Sequence, residues 1–181
     1  FTFNGNVVLD SWTAAEGAVV DVEEEDTVEG IQYDVPNLKD AVTEAMGDEN
    51  FIVGTAICLS DLKDEKEMAL VKKHFNAITF GNELKPDAAF GYASKCPETE
   101  KATINGIEIT VPKLDFSRAD EMLEYVYKYN QKHPESAIRI RGHVFTWHSQ
   151  TPEWFFHVDY DKDKELCSKE EMTLRHEWYI K

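Results

Sequence analysis

Basic residues are scarce in this chain. Nineteen Lys and Arg stand against 35 Asp and Glu in 181 residues, a formal net charge of −16. Nucleic acid and anionic membrane surfaces both call for a basic patch, so neither is an expected partner. The acidity reads as a source of solubility. Long apolar runs are also missing, and no stretch approaches a membrane span. The start Phe1-Thr2-Phe3-Asn4-Gly5 has no charged segment followed by an apolar one, so no cleavable signal peptide is read there. An opening on Phe rather than Met fits a processed or trimmed chain. Cysteine is sparse: Cys58, Cys96 and Cys167 are odd in number, widely spaced and match no zinc spacing. Cys58 sits in an apolar stretch and is expected to be a buried small hydrophobe. The three leave the redox compartment open. No metal or cofactor is expected, and no internal repeat or low-complexity tract stands out.

What is present is enough for one sizeable core: 42% hydrophobic and 12% aromatic residues. Residues 1–35 differ from the rest. Val19 to Val28 is acidic and β-branched, punctuated by Gly5, Gly17 and Gly30, and reads as an extension: an edge strand, a linker or the tail of a preceding module. Within it, Glu23 to Asp26 is a solvated charge run. The spacing then predicts a helix over 37–47, with Leu38, Ala41, Val42 and Ala45 on one face, Asn37 as its cap and Gly47 as its stop. A strand is expected over Phe51–Cys58. A helix over 61–74 would be capped by Ser60-Asp61, with Leu62, Met68, Ala69 and Val71 inward. A second strand follows over Phe75–Phe80. Asn105-Gly106 between β-branched residues predicts a hairpin. A helix over 116–132 would bury Ala119, Met122, Leu123, Val126 and Tyr127. Ile138–Phe145 reads as a third strand, and 170–180 as a closing helix. Near-continuous apolar strands alternating with helices imply parallel βα units.

The run from Arg139 to Phe156 carries two His, two Trp, three Phe and a Gln. Side chains alternate along a strand, so Arg141, His143, Phe145 and Trp147 are expected on one face. Arg, His and Trp at a strand end suit a polar, aromatic-lined pocket. Sugars bind such surfaces, because a pyranose ring packs its apolar face on an aromatic ring while its hydroxyls need donors and acceptors at the rim.

That run resembles a signature of glycoside hydrolase family 10, the retaining endo-β-1,4-xylanases: Arg141-Gly142-His143, three residues, then Trp147-His148-Ser149-Gln150-Thr151-Pro152 and an aromatic stretch. Upstream, Lys73 to Pro86, with His74-Phe75-Asn76 and Gly81-Asn82-Glu83-Leu84-Lys85, is similar to a second family segment. Phe51 to Ile57 is similar to its first barrel strand. The resemblance covers roughly residues 37–181, in the family's order. It implies a (β/α)8 barrel, of which only the first three βα units are readable here, over 36–181. A complete barrel takes about 250 residues. The catalytic glutamates are then expected beyond Lys181, and the other half of the barrel, or an inserted carbohydrate-binding module, as a partner. The resemblance also implies xylan or xylo-oligosaccharide as substrate and a secreted, extracellular or cell-surface protein.

The resemblance further implies roles for residues at strand ends, where barrel active sites lie. Asn82 and Lys85 would hydrogen-bond the sugar one beyond the cleavage point, on its non-reducing side. His143, Trp147 and Gln150 would line the cleavage-point sugar, with Glu83 supporting the strand exit and His148 at the rim. The family usually has Glu where this chain has Gly81, so that contact is lost and a wider pocket is expected there. Taken singly, these residues have plainer readings. Asn82 to Pro86 is a turn, His143 a structural histidine, and Trp154, Phe155 and Phe156 packing. His133, His157 and His176 have no ligand spacing. A retaining glycosidase needs two carboxylates about 5 to 5.5 Å apart, and no residue here is assigned either role. Two rivals stay open: a non-catalytic carbohydrate-binding or scaffold domain derived from such a barrel, and a barrel glycosidase acting on another β-glycan.

Overall fold

A computed structural model describes residues 27–181. In chain order the helices and strands are α1 (Leu38–Met46), β1 (Gly54–Ile57), α2 (Glu65–His74), β2 (Ala77–Phe80), α3 (Pro86–Ala89), β3 (Thr99–Ile104), β4 (Ile107–Pro112), α4 (Ser117–Lys132), β5 (Arg139–Arg141) and α5 (Lys169–Ile180). Residues 27–37 carry no helix or strand. The reading of the more N-terminal extension, with its charge run at Glu23–Asp26, lies outside the described residues.

β1, β2 and β5 form one parallel sheet with β2 in the middle. Ala77, Ile78 and Phe80 of β2 are all buried, as expected of a strand covered on both faces. α2 contributes Met68 and Val71 to the core, and α4 contributes Ala119, Met122, Tyr125, Val126 and Tyr129. They pack with Ile57, Leu59, Ile78, Phe80 and Ile138. Two asparagines lock helix exits to strand entries. Asn76 accepts from Val53 N–H at 2.8 Å and donates to the Phe51 carbonyl at 2.9 Å. Asn130 does the same to both backbone groups of Ile138, at 2.8 and 2.9 Å. Each satisfies backbone groups that the short strands leave unpaired. Among the described residues, β1 and β5 each pair on one side only.

The hairpin is where the Asn-Gly signal puts it. β3 and β4 are antiparallel around Asn105 and Gly106, whose φ values of 51° and 80° suit the two central positions of a hairpin turn. Several expectations are corrected. The third strand ends at Arg141 rather than Phe145. Among the described residues its one partner is β2, with Arg141 opposite Thr79. Once β2 gives way to Gly81 there is no strand left to pair with, so Arg141, His143, Phe145 and Trp147 are not one strand face. The helix expected over 61–74 is split into a 3-10 turn at Asp61–Lys63 and α2. Asp64 is the true cap, accepting from Lys66 N–H at 2.9 Å and Glu67 N–H at 3.1 Å. Asp61 instead accepts from Cys58 N–H at 2.7 Å. α1 stops at Gly47 in the left-handed conformation, as read, but Asn37 makes no capping bond. It donates to Asp40 and accepts from Lys73. The apolar face of α1 is not buried, and Leu38 and Met46 are exposed. In α4 the inward positions of Leu123 and Tyr127 are only half-buried, and Tyr125 and Tyr129 fill the core. α3 and the 3-10 turns at Pro134–Ser136, Glu153–Phe156 and Val158–Tyr160 are too short for periodicity to announce them.

The cap assignment is directly testable. Asp64→Ala should lower stability by about 1 kcal/mol, the usual worth of an N-cap, whereas Ser60→Ala should change it little. Denaturant melts of the two variants decide it, and equal effects would return the cap to Ser60.

Candidate functional site

The C-terminal ends of the three parallel strands lie along one edge of the sheet, where a barrel places its ligand groups. Cys58 and Leu59 leave β1, Gly81 to Lys85 leave β2, and Gly142 to Gln150 leave β5. Glu83 holds the first two exits together. Its carboxylate is 3% exposed, accepts from Leu59 N–H at 2.9 Å and from Asn82 N–H at 3.1 Å. A buried carboxylate is tolerable only with such donors. The role of strand-exit support is the one its geometry fits.

Asn82 and Lys85 are joined, the lysine Nζ donating to Asn82 Oδ1 at 2.9 Å. The same ammonium lies 5.3 Å from the centre of the Trp147 ring, within cation–π range. Trp147 is 36% exposed, so part of its surface faces solvent. His143 stands 6.1 Å from Trp147, and His148 meets it edge-on at 5.3 Å. Val144 N–H donates to the Leu84 carbonyl at 3.3 Å, tying this loop to the β2 exit. Gln150 adopts φ 54° and is docked on Asp87 from both sides. Its carbonyl accepts from Asp87 N–H at 2.9 Å, and its amide donates to Asp87 Oδ2 at 3.3 Å. Asn82, Lys85, His143 and Trp147 thus form one connected wall with His148 at its exposed rim, and Gln150 is anchored beside it through α3.

Two residues of the wall carry no functional signal in the sequence. Asp87 positions Gln150, and a carboxylate after Pro86 gives no hint of that. Cys58 is the other. It is half-exposed rather than a buried hydrophobe, and its Sγ receives the Asn82 amide at 3.4 Å. Burial, then the nearby negative charges of Glu83 and Asp61, push the thiol pKa up from its ordinary value, which keeps it protonated at neutral pH. The glycine at 81 opens no extra space either. A Cβ placed there would sit 2.6 Å from Cys58 Sγ, so the sulfur fills the room that a wider pocket would have used.

Behind the wall, Trp154 and Phe155 are buried with Phe90 and Tyr160, which makes them packing rather than a sugar platform. Phe90 lies 5.1 Å from Trp154 and 5.3 Å from Phe155. Arg175 is 2% exposed. It donates to the carbonyls of Phe155 and His157 at 2.6 and 2.9 Å, pairs with Glu171, and stacks 3.8 Å from the Tyr160 ring centre. His157 and His176 bond to local carbonyls. Among the described residues, no group of three or more His, Cys, Asp or Glu could hold a metal ion, and no helix is long and apolar enough to cross a membrane.

Residues 41–181 match the family model described as glycosyl hydrolase family 10. An endo-1,4-beta-xylanase A of Thermotoga neapolitana is 35% identical over 149 residues, which is 82% of this chain and 11% of that protein. An endo-1,4-beta-xylanase A of Butyrivibrio fibrisolvens is 32% identical over 136 residues, 71% of this chain and 31% of that protein. Among solved structures, the CBM22-1–GH10 modules of a Clostridium thermocellum N-terminal endo-1,4-beta-D-xylanase, complexed with xylohexaose, superpose with a TM-score of 0.59 at 29% identity, over 87% of this chain and 25% of that one. The intracellular xylanase of Thermoanaerobacterium saccharolyticum gives 0.58 at 26%, over 82% and 37%. This chain therefore spans a tenth to a third of the length of the curated relatives named (11% and 31%).

Glu83→Gln tests the carboxylate clasp. One of its two acceptor oxygens becomes an NH2 facing a backbone donor, which should cost about 1 to 3 kcal/mol. A denaturant melt with an unchanged midpoint would show that the clasp contributes nothing to stability.

Proposed function

The chain belongs to glycosyl hydrolase family 10, its parallel sheet is three βα units of a (β/α)8 barrel, and we propose that it supplies the non-reducing-side sugar wall of an endo-1,4-β-xylanase. The observation that carries this reading is the connected array of Asn82, Lys85 and Trp147 at the C-terminal strand ends. An ammonium and an amide offer donors to ring hydroxyls, and a half-open indole beside them offers an apolar face. Relatives that carry the name endo-1,4-beta-xylanase, and a similar structure complexed with xylohexaose, point to a β-1,4-xylan chain as the ligand.

In this reading Lys85 and Asn82 hold the sugar one beyond the cleavage point. Trp147, His143 and Gln150 line the sugar at that point, and His148 marks the rim. Hydrolysis with retention uses an acid/base and a nucleophile about 5 to 5.5 Å apart. Glu83 is already committed to two backbone donors and Asp87 to the Gln150 amide, so we assign both roles to glutamates beyond Lys181. The wall works by orientation: binding a remote sugar positions the bond that breaks. A polymeric substrate too large to enter a cell fits a secreted or surface-bound enzyme. A carbohydrate-binding module, of the kind that adjoins the barrel in the Clostridium thermocellum structure, fits as a companion that keeps the barrel on insoluble xylan. No metal or cofactor is needed for either carboxylate step.

Kinetics on the full-length protein test this. Lys85→Ala removes a charged donor worth about 1.5 to 3 kcal/mol, roughly tenfold or more. It should lower kcat/KM on long xylo-oligomers more than on an activated aryl xyloside that leaves its subsite empty. Trp147→Ala should impair both. Equal losses on long and short substrates for Lys85→Ala would make the lysine a structural part of the strand exit. The 181-residue chain alone should release no sugar from xylan above background, and clear turnover would mean that the acids lie within it.

A further inference from the structure

Asn82 is held between a donor and a sulfur. Lys85 Nζ lies 2.9 Å from one side-chain atom of its amide, and Cys58 Sγ lies 3.4 Å from the other. A lysine ammonium has only donors to offer, so the atom facing it has to be the amide oxygen, which turns the NH2 toward the sulfur. The sulfur is the acceptor that the geometry supplies to that NH2. Its own backbone is well fixed, with Cys58 N–H donating to Asp61 at 2.7 Å and Leu59 N–H to Glu83 at 2.9 Å.

The sulfur has room because residue 81 is glycine. Gly81 does not need glycine for its backbone, since it is absent from the positions with left-handed φ. It needs it for space, because a Cβ would meet Cys58 Sγ at 2.6 Å, well inside van der Waals contact. The two residues come from the ends of adjacent parallel strands, with Gly81 N–H bonded to the Ile57 carbonyl at 2.7 Å. Neither backbone can step aside cheaply.

We propose that Cys58 is a positioning residue for the sugar wall and Gly81 its steric complement: the sulfur sets the orientation of the Asn82 amide, and through it the Lys85 ammonium, toward the xylose one beyond the cleavage point. The idea rests on the sugar assignment of Asn82 and Lys85 above. Cys58 acts through Asn82 and touches no reacting atom. A side chain at 81 and the Cys58 sulfur in its present place cannot both be accommodated, so the two positions are coupled in binding.

The experiment is a double-mutant cycle in the full-length enzyme, read on xylohexaose and on an aryl xyloside. Cys58→Ala removes the acceptor, and Gly81→Ala displaces it. Each should lower kcat/KM on xylohexaose by roughly twofold to tenfold, the span of a net neutral hydrogen bond, with the aryl xyloside nearly unchanged. Cys58→Ser keeps an acceptor and should recover most of the loss. With the sulfur gone, the methyl added at position 81 no longer meets it, so the double variant should be no worse than either single. The inference is overturned if Cys58→Ala matches wild type on xylohexaose, if both substrates fall equally, or if the two single losses multiply. Should Cys58→Ala fail to fold, Gly81→Ala carries the same test with the sulfur retained. Lys85→Ala, run alongside, separates the two levels. If it fails to distinguish long from short substrates, the subsite reading is wrong. If it distinguishes them and Cys58→Ala does not, only the positioning role falls.

Discussion

The buried carboxylate of Glu83 is the constraint on which the rest of the wall depends. It takes one backbone N–H from the β1 exit and one from its own neighbour at the β2 exit. With 3% exposure, it is a charge removed from water and compensated by oriented amides. The consequence is geometric. Once Leu59 and Asn82 are pinned to the same carboxylate, Cys58 and Gly81 are forced side by side, and the Asn82 side chain has one direction in which to leave the backbone. Lys85, one turn further on, then lands where it can reach both Asn82 and the Trp147 ring. An ion in a buried position thus does for this site what regular strand pairing no longer can, because β1 and β2 have already ended.

The β5 exit is organised differently. It has left its strand by Gly142, and its side chains are placed by what they dock on. Val144 is bonded to Leu84, and Gln150 to Asp87. Beyond Pro152 the chain is drawn under the wall by an aromatic cluster of Phe90, Trp154, Phe155 and Tyr160. Arg175 of α5 satisfies the carbonyls of Phe155 and His157 where no helix or strand could. Trp154 Nε1 donates to the Ala93 carbonyl and Tyr160 Oη to the Thr110 carbonyl, which attaches the cluster to the hairpin side of the molecule. The exposed wall is therefore mounted on a buried aromatic support.

The apolar residues left outside mark the limits of three units. Val35, Leu38, Met46 and Ile52 are exposed in the stretch that precedes β1, and Leu166 and Ile180 on the α5 side. The sheet pairs on one side only at β1 and at β5 among the described residues. Such edges and faces are what further βα units of a barrel cover, so the chain that joins its strand exits into one wall still leaves part of its apolar surface uncovered.

Local pattern is enough to announce the long elements, because each carries a signal that one segment can hold. The apolar spacing of Ala119, Met122 and Val126 announces α4, Asn105-Gly106 announces the hairpin, and the near-continuous apolar runs before Cys58 and Gly81 announce parallel strands. It also determined the family, through two ordered motifs whose residues converge on one edge of the sheet. Tertiary structure decided what local pattern does not encode. Arg139 to Trp147 alternates like a strand, yet β5 stops at Arg141, opposite Thr79, and the chain beyond it leaves the sheet and docks on the Leu84 carbonyl through Val144. Asp64 rather than Ser60 caps α2, since Asp61 is taken by the backbone of Cys58. Whether Gly81 leaves a hole could be settled only by the residue across from it, and that is Cys58, 23 positions earlier and one strand away. Periodicity is a property of one segment, whereas the end of a strand, the choice of a cap and the filling of a gap each depend on a second segment that folding brings beside the first.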